Sequence, residues 1–163
     1  MRLAVVLPPA AWSTRDVALG YARAFQELGH EVLRADLFEA ACRASGGLEQ
    51  KFYGRTLLPE ARRNALIEAV RLLRETKPDW AVVVHGAALP LDLPDDLRTR
   101  GTRSALLLTD EPYELERSLA YARGYDLVVT NDPATLKAHR ENHPRRNAQY
   151  LPPGFDPAVM KPD

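Results

Sequence analysis

The sequence predicts an α/β fold: a doubly wound, mostly parallel sheet covered by helices, three layers in all. Two matching stretches carry that expectation. Leu106-Leu107-Leu108 runs into Thr109-Asp110-Glu111-Pro112 and then a helical pattern, and Leu127-Val128-Val129 runs into Thr130-Asn131-Asp132-Pro133 and then another. Such runs are too short for buried helices and suit strands covered on both faces. Each turn ends in a proline, which the first position of a helix tolerates because no backbone N–H is needed there. A third observation is the opening strand, helix and strand, a βαβ unit of ordinary size. Repeated strand, turn and helix is the pattern of a parallel sheet with crossover helices. Ligands of such sheets sit beyond the carboxyl ends of the strands. Thr109–Pro112 and Thr130–Pro133 are therefore the first segments to consider for function.

Taken in order, Leu3–Leu7 reads as the first strand and Pro8–Thr14 as a loop. Ser13 and Asp16 resemble a capping box, and Ala18, Tyr21, Ala22, Phe25 and Leu28 share a helical face. Gly29 is placed to end that helix, and Glu31–Ala35 reads as the second strand. Phe38 to Ala44 suggests a short helix and Ser45-Gly46-Gly47 a break. Phe52-Tyr53-Gly54 reads as either a strand or a packed loop. Pro59 opens a helix whose stripe is Leu66, Val70 and Leu73, widened by Ala69 and Leu72. Arg62, Arg63, Arg71 and Arg74 lie off that stripe, as solvated arginines would. Lys77-Pro78-Asp79 ends the helix, and Trp80–Val84 is a buried strand that stops at His85-Gly86. Leu89–Asp96 is loop-like, with a short helix at Pro94–Thr99. Ser104–Leu108 and Leu127–Val129 are strands, with Leu115, Leu119 and Ala122 marking the helix between them. A helix to about His143 follows Asp132, which is a good N-cap, and Ala148–Leu151 reads as the last strand before the breakers Pro152-Pro153-Gly154.

Composition narrows the function. A length of 163 residues accommodates one domain with a sizeable core, and zero formal net charge argues against a chain built to hold nucleic acid or an acidic membrane. The single cysteine, Cys42, permits no internal disulfide, and no apolar run is long enough to span a membrane. A cytoplasmic protein is the default expectation. The glycine fingerprint of dinucleotide-binding folds, the phosphate-binding P-loop and the nucleophile elbow of α/β-hydrolases are all absent from the sequence. The four histidines lack metal-ligand spacing. A binding domain or part of an enzyme fits this pattern.

Tyr150-Leu151-Pro152-Pro153-Gly154-Phe155-Asp156-Pro157, with Met160-Lys161-Pro162, resembles the segment that closes the N-terminal Rossmann-like domain of GT-B glycosyltransferases. The stretch Gly20 to Val32 resembles their first helix and second strand, and Lys77-Pro78-Asp79 before a strand ending in His85-Gly86 is similar too. Thr109-Asp110-Glu111-Pro112 followed by Tyr125-Asp126-Leu127-Val128-Val129-Thr130-Asn131 looks most like the CgeB-like, spore-maturation-type branch, within the broader family 4-like group. The resemblance implies an acceptor-side domain over residues 1–151 and a linker or tail over 152–163 toward a second domain. It implies a whole enzyme that moves a sugar from a nucleotide sugar to an acceptor, without a cofactor or bound metal, and a first domain inactive alone. Two departures stand out. Pro8-Pro9-Ala10-Ala11-Trp12 replaces the family's frequent glycine-rich turn, and the donor-binding second domain is not in this sequence; a cut at the linker and a natural single domain both fit, and the unfinished tail favours the cut.

Within that frame His85, Asp110 and Glu111 are the catalytic candidates, as base or acceptor contacts. The alternatives are a capping or packed histidine and charges that favour a helix N-terminus. Trp12, Ser13, Thr14, Gly86, Asn131, Asp132 and Gly154 are the substrate-binding candidates. Trp12 equally suits loop packing, and Asn131 and Asp132 suit helix caps. His139, His143, Arg145 and Arg146 read as a solvated, basic helix end. Two rival readings stand beside the transferase. One is a free-standing Rossmann-like module that binds a small molecule or a protein, for which a homodimer covering the carboxyl edge is compatible. The other is a different nucleotide- or sugar-phosphate enzyme of the same architecture.

Overall fold

The computed structural model describes residues 1–9, 13–44, 59–144 and 147–154. In chain order the elements are β1 (Arg2–Leu7), α1 (Ser13–Glu27), β2 (Glu31–Asp36), α2 (Leu37–Ala44), α3 (Pro59–Thr76), β3 (Trp80–Val84), α4 (Leu93–Thr99), β4 (Arg103–Leu108), α5 (Leu115–Ala122), β5 (Leu127–Thr130), α6 (Leu136–Asn142) and β6 (Ala148–Tyr150). The Phe52-Tyr53-Gly54 expectation lies outside the described residues. The strands form one six-stranded sheet in the order β2-β1-β3-β4-β5-β6, and every pairing is parallel. The fold is the expected three-layer α/β sheet of Rossmann-like type.

Topology distributes the helices. From β1 the chain steps outward to β2, then returns past β1 to β3 and continues to the opposite edge. Right-handed crossovers taken in opposite directions place their helices on opposite faces. Side chains alternate along each strand, so both faces of β1 and β3 are apolar. Val5, Leu7, Val82 and Val84 share a cluster with Ala18 and Ala22 of α1. Ala4, Val6, Ala81 and Val83 share the larger cluster with Leu73 of α3, Leu97 of α4 and Tyr121 of α5. Burial of each such valine or leucine contributes about 1.5–3 kcal/mol, which is why continuous apolar runs specify these central strands. The small residues Ala40, Ala41, Ala61 and Ala65 form a separate contact between α2 and α3.

Helix ends follow the local chemistry. Gly29 adopts a left-handed φ of +81°. Its N–H donates to the Gln26 carbonyl at 2.9 Å and the His30 N–H to the Phe25 carbonyl at 3.0 Å, the Schellman pattern. In α3, Ala69 and Leu73 are buried and Leu66, Val70 and Leu72 pack beside them, while Arg62, Arg63, Arg71 and Arg74 are exposed. Pro78 then prevents the helix from continuing past Lys77.

Three expectations are corrected. Pro112 and Pro133 do not open helices and Asp132 is not the N-cap of α6, because α5 starts at Leu115 and α6 at Leu136, with Thr135 at its N-cap. Each proline lies in a turn that precedes its helix, and these turns lengthen the connections beyond the carboxyl edge. His139 and His143 do not form a solvated basic end: they are 1% and 3% exposed. His143 Nε2 lies 2.8 Å from the Tyr125 carbonyl, so this histidine satisfies backbone inside the fold. Arg145 and Arg146 lie outside the described residues.

Candidate functional site

Parallel register brings the strand ends to one edge. Val84 pairs with Leu107, Leu108 with Thr130, and Thr130 with Tyr150. The residues that follow β3, β4 and β5 therefore emerge side by side. Between β1 and β3 the winding direction changes, the place where open α/β sheets form a ligand crevice. A small hollow lies there, lined in part by Leu7, Pro8, Val84, His85, Gly86 and Leu89. A wider cleft lies away from it, beside β2 between α2 and α3. Of its three arginines, Arg43 pairs with Glu39 and Glu68 and Arg71 with Glu75, while Arg34 also lines it.

His85 joins the hollow to the β4 turn. Its backbone N–H still donates to the Leu107 carbonyl at 2.9 Å, continuing the ladder by one residue. Its φ of +70° is left-handed, a conformation uncommon for a residue with a Cβ and concentrated at functional sites. This turn directs the ring toward β4, where Nδ1 lies 3.0 Å from Asp110 Oδ2. The histidine is partly buried and the aspartate more open. Nε2 makes no hydrogen bond to another described residue. A carboxylate at ion-pair distance from Nδ1 favours a proton on that nitrogen, which leaves Nε2 free to accept one. The pair can thus act as an oriented general base.

Gly86 has a packing role. With φ at +62°, an added Cβ would lie 2.5 Å from Leu106 Cδ1 and 3.4 Å from the Tyr121 ring. The bare backbone lets the turn after β3 settle onto the β4 and α5 side chains.

Glu111 departs from its neighbour. Asp110 reaches the surface, whereas the Glu111 side chain is 1% exposed. The Ser118 hydroxyl donates to Glu111 Oε1, and His139 Nε2 lies 3.3 Å from the same oxygen. Serine, glutamate and histidine meet here, but the carboxylate stands between the other two and all three are buried. A nucleophilic triad needs the histidine in the middle and the serine open to substrate. The cluster therefore does not have the geometry of a nucleophilic triad.

The β5 turn is similarly tied down. Asn131 Nδ2 donates to the Thr109 carbonyl at 2.9 Å, joining the two turns. The Asp132 carboxylate accepts from the N–H groups of Ala134 at 3.4 Å and Thr135 at 3.2 Å, so it caps the turn leading into α6. Thr130 and Thr135 hydroxyls meet at 2.8 Å beneath it.

The remaining candidates fall elsewhere in the chain or outside the described residues. Thr14 is buried in the first turn of α1. Ser13 begins α1, and its side chain, like Trp12, lies outside the described residues. Gly154 is exposed beyond β6, with nothing within 4 Å of a built Cβ. Three features were not anticipated: the Ser118 and His139 partners of Glu111, and Tyr113, which is 93% exposed in the turn that carries Asp110. An aromatic beside two acidic residues at a strand end was the available signal for Tyr113.

Electrostatics mark the same edge. Burial pushes the Tyr121 hydroxyl well above the usual phenol range, and the nearby carboxylates Glu114, Glu111 and Asp110 add to the shift. Thr109 Oγ1, Glu111 Oε2, Glu114 Oε2 and Asn131 Oδ1 are buried with no hydrogen-bond partner among the described residues. Unpaired acceptors are costly inside a protein, and all four lie on the turns after β4 and β5. Among the described residues no group of three or more His, Cys, Asp and Glu is arranged to hold a metal ion, and no helix is long and apolar enough to cross a membrane.

No protein-family model and no curated protein sequence matches the chain. The functional reading therefore rests on the site and on the sequence motifs.

Proposed function

We propose that the chain is the N-terminal, acceptor-side domain of a GT-B glycosyltransferase of the CgeB-like type, with the His85–Asp110 pair as its acceptor base. The observation that carries this reading is the 3.0 Å contact of His85 Nδ1 with Asp110 Oδ2 at the carboxyl edge. In this reading an acceptor hydroxyl lies against His85 Nε2. The ring takes the hydroxyl proton as the oxygen attacks the anomeric carbon of the donor sugar. The new glycosidic bond forms, the bond from that carbon to the nucleotide diphosphate breaks, and Asp110 stabilises the imidazolium that results. Donor contacts belong to a second domain, so the domain alone binds acceptor and does not turn over.

The test begins with the source gene. An in-frame second Rossmann-like domain beyond Asp163 is expected. The whole enzyme should consume a nucleotide sugar from a panel of uridine, guanosine, adenosine and thymidine diphosphate sugars. His85→Ala and Asp110→Ala should each lower turnover by roughly 10²–10⁴-fold, the range of a general base, with donor affinity retained. A stop codon after Asp163, or variants with wild-type turnover, would sink the proposal and favour a free-standing binding module.

A further inference from the structure

We propose that Glu111 is a positioning residue: its buried carboxylate, gripped by Ser118 and His139, locks the turn that presents Asp110 to His85. This rests on the reading of His85–Asp110 as the reactive pair, but it can be tested without turnover.

The argument begins with direction. Asp110 and Glu111 are adjacent in a turn between β4 and α5, yet one carboxylate faces His85 and the other is sealed inside. A buried carboxylate is expensive and is seldom the most stabilising choice for a core position. Here it provides directional attachment. Ser118 belongs to α5 and His139 to α6, so one oxygen ties the turn to two helices at once. On the other side of Asp110, the Thr109 carbonyl is held by Asn131 at 2.9 Å. Asp110 is thus bracketed: the residue before it is fastened to the β5 turn and the residue after it to the helix layer. An exposed aspartate on a free turn would sample many rotamers and meet His85 only part of the time. Fixing both neighbours removes that freedom, as supporting contacts do for reactive groups held to a narrow geometry.

The neutral tautomer of His85 reports the outcome. With Asp110 in place the ring carries its proton on Nδ1; a free imidazole favours Nε2. The chain is labelled with ¹⁵N-histidine, and long-range ¹H–¹⁵N spectra are recorded about two pH units above the ordinary imidazole range. Wild type should show His85 as the Nδ1–H form. Asp110→Ala should convert it to the free-imidazole mixture. Glu111→Leu should do the same although Asp110 is still present. Glu111→Gln should restore the Nδ1–H form, because its amide oxygen can accept from Ser118 and His139. A folded Glu111→Leu chain whose His85 remains Nδ1–H overturns the positioning role alone. So does a Glu111→Gln chain that behaves like Glu111→Leu, since charge rather than attachment would then be responsible. Should Glu111→Leu fail to fold, the Ser118→Ala/Asn131→Ala double variant loosens the same turn. Loss of the Nδ1–H form in that variant supports the lock and its retention overturns it. A wild-type His85 without the Nδ1–H form would overturn both the lock and the proposed base. Unchanged turnover of the whole enzyme on His85→Ala would overturn the base reading and leave the lock standing.

Discussion

A methyl group placed on Gly86 would lie 2.5 Å from Leu106 Cδ1. Leu106 is fully buried in the sheet's larger core, so its side chain has nowhere to retreat. Gly29 has the same sign of φ but nothing within 4 Å of a built Cβ. The two glycines separate backbone strain from packing. Gly29→Ala should cost about 1 kcal/mol, the left-handed penalty alone. Gly86→Ala should cost roughly 2–4 kcal/mol, because overpacking adds to that penalty. Urea unfolding of both variants checks this. Equal losses would show that the core around Leu106 yields easily.

Asp126 joins three elements at the opposite end of the sheet. Its Oδ2 accepts from the Ser104 backbone N–H at 2.8 Å, and its Oδ1 accepts from Arg98 Nε at 3.0 Å. Ser104 is fully buried, so Asp126→Ala would strand a backbone donor. A loss of about 1–3 kcal/mol is expected from that donor, plus a smaller loss from the half-open arginine pair. Asp126→Asn, which keeps an acceptor, should recover most of the loss in the same unfolding measurement. Equal loss in both variants would assign the effect to charge.

Tyr121 and Tyr125 should resist ionisation. Burial is the main cause for both, reinforced by the nearby carboxylates at Tyr121 and by Tyr121 itself at Tyr125. Their folded values lie above the ordinary phenol value near 10. Stability from these groups is therefore fully present below pH about 10 and falls as pH rises from there toward the folded values. Absorbance at about 295 nm, where tyrosinate absorbs, should show a late step that coincides with loss of helical circular dichroism. Tyr121→Phe/Tyr125→Phe should remove that step. A late step that persists in the double variant would show that other tyrosines produce it.

Much of the fold was legible because its determinants are local. Apolar runs at Leu106–Leu108 and Leu127–Val129 needed only their length and their flanking turns to be read as strands. Gly29 needed only a helix before it; Asp132, by contrast, caps the turn before α6 rather than the helix, whose N-cap is Thr135. The carboxyl-edge location of His85 and Asp110 followed from the parallel pattern. Their direct contact did not, since it depends on the left-handed turn at His85, and a single residue type does not announce its φ.

The buried cluster was not legible, for a different reason. Glu111 and His139 are separated by 28 positions in the chain. Both are polar residues, which local reasoning assigns to the surface. Only docking of α5 and α6 onto the sheet makes a buried site in which the hydroxyl and the imidazole meet one oxygen of the carboxylate.

By itself the sequence determined the α/β class, nearly every strand and helix, and the edge of the sheet at which to look for chemistry. These are consequences of short-range periodicity and of turn residues, which act through neighbouring backbone. The tertiary structure decided which polar groups meet. It paired His85 with Asp110, turned Glu111 inward to Ser118 and His139, and withdrew His139 and His143 from solvent. Those outcomes follow from how helices pack across a twisted sheet, where a few ångströms separate an exposed charge from a buried one.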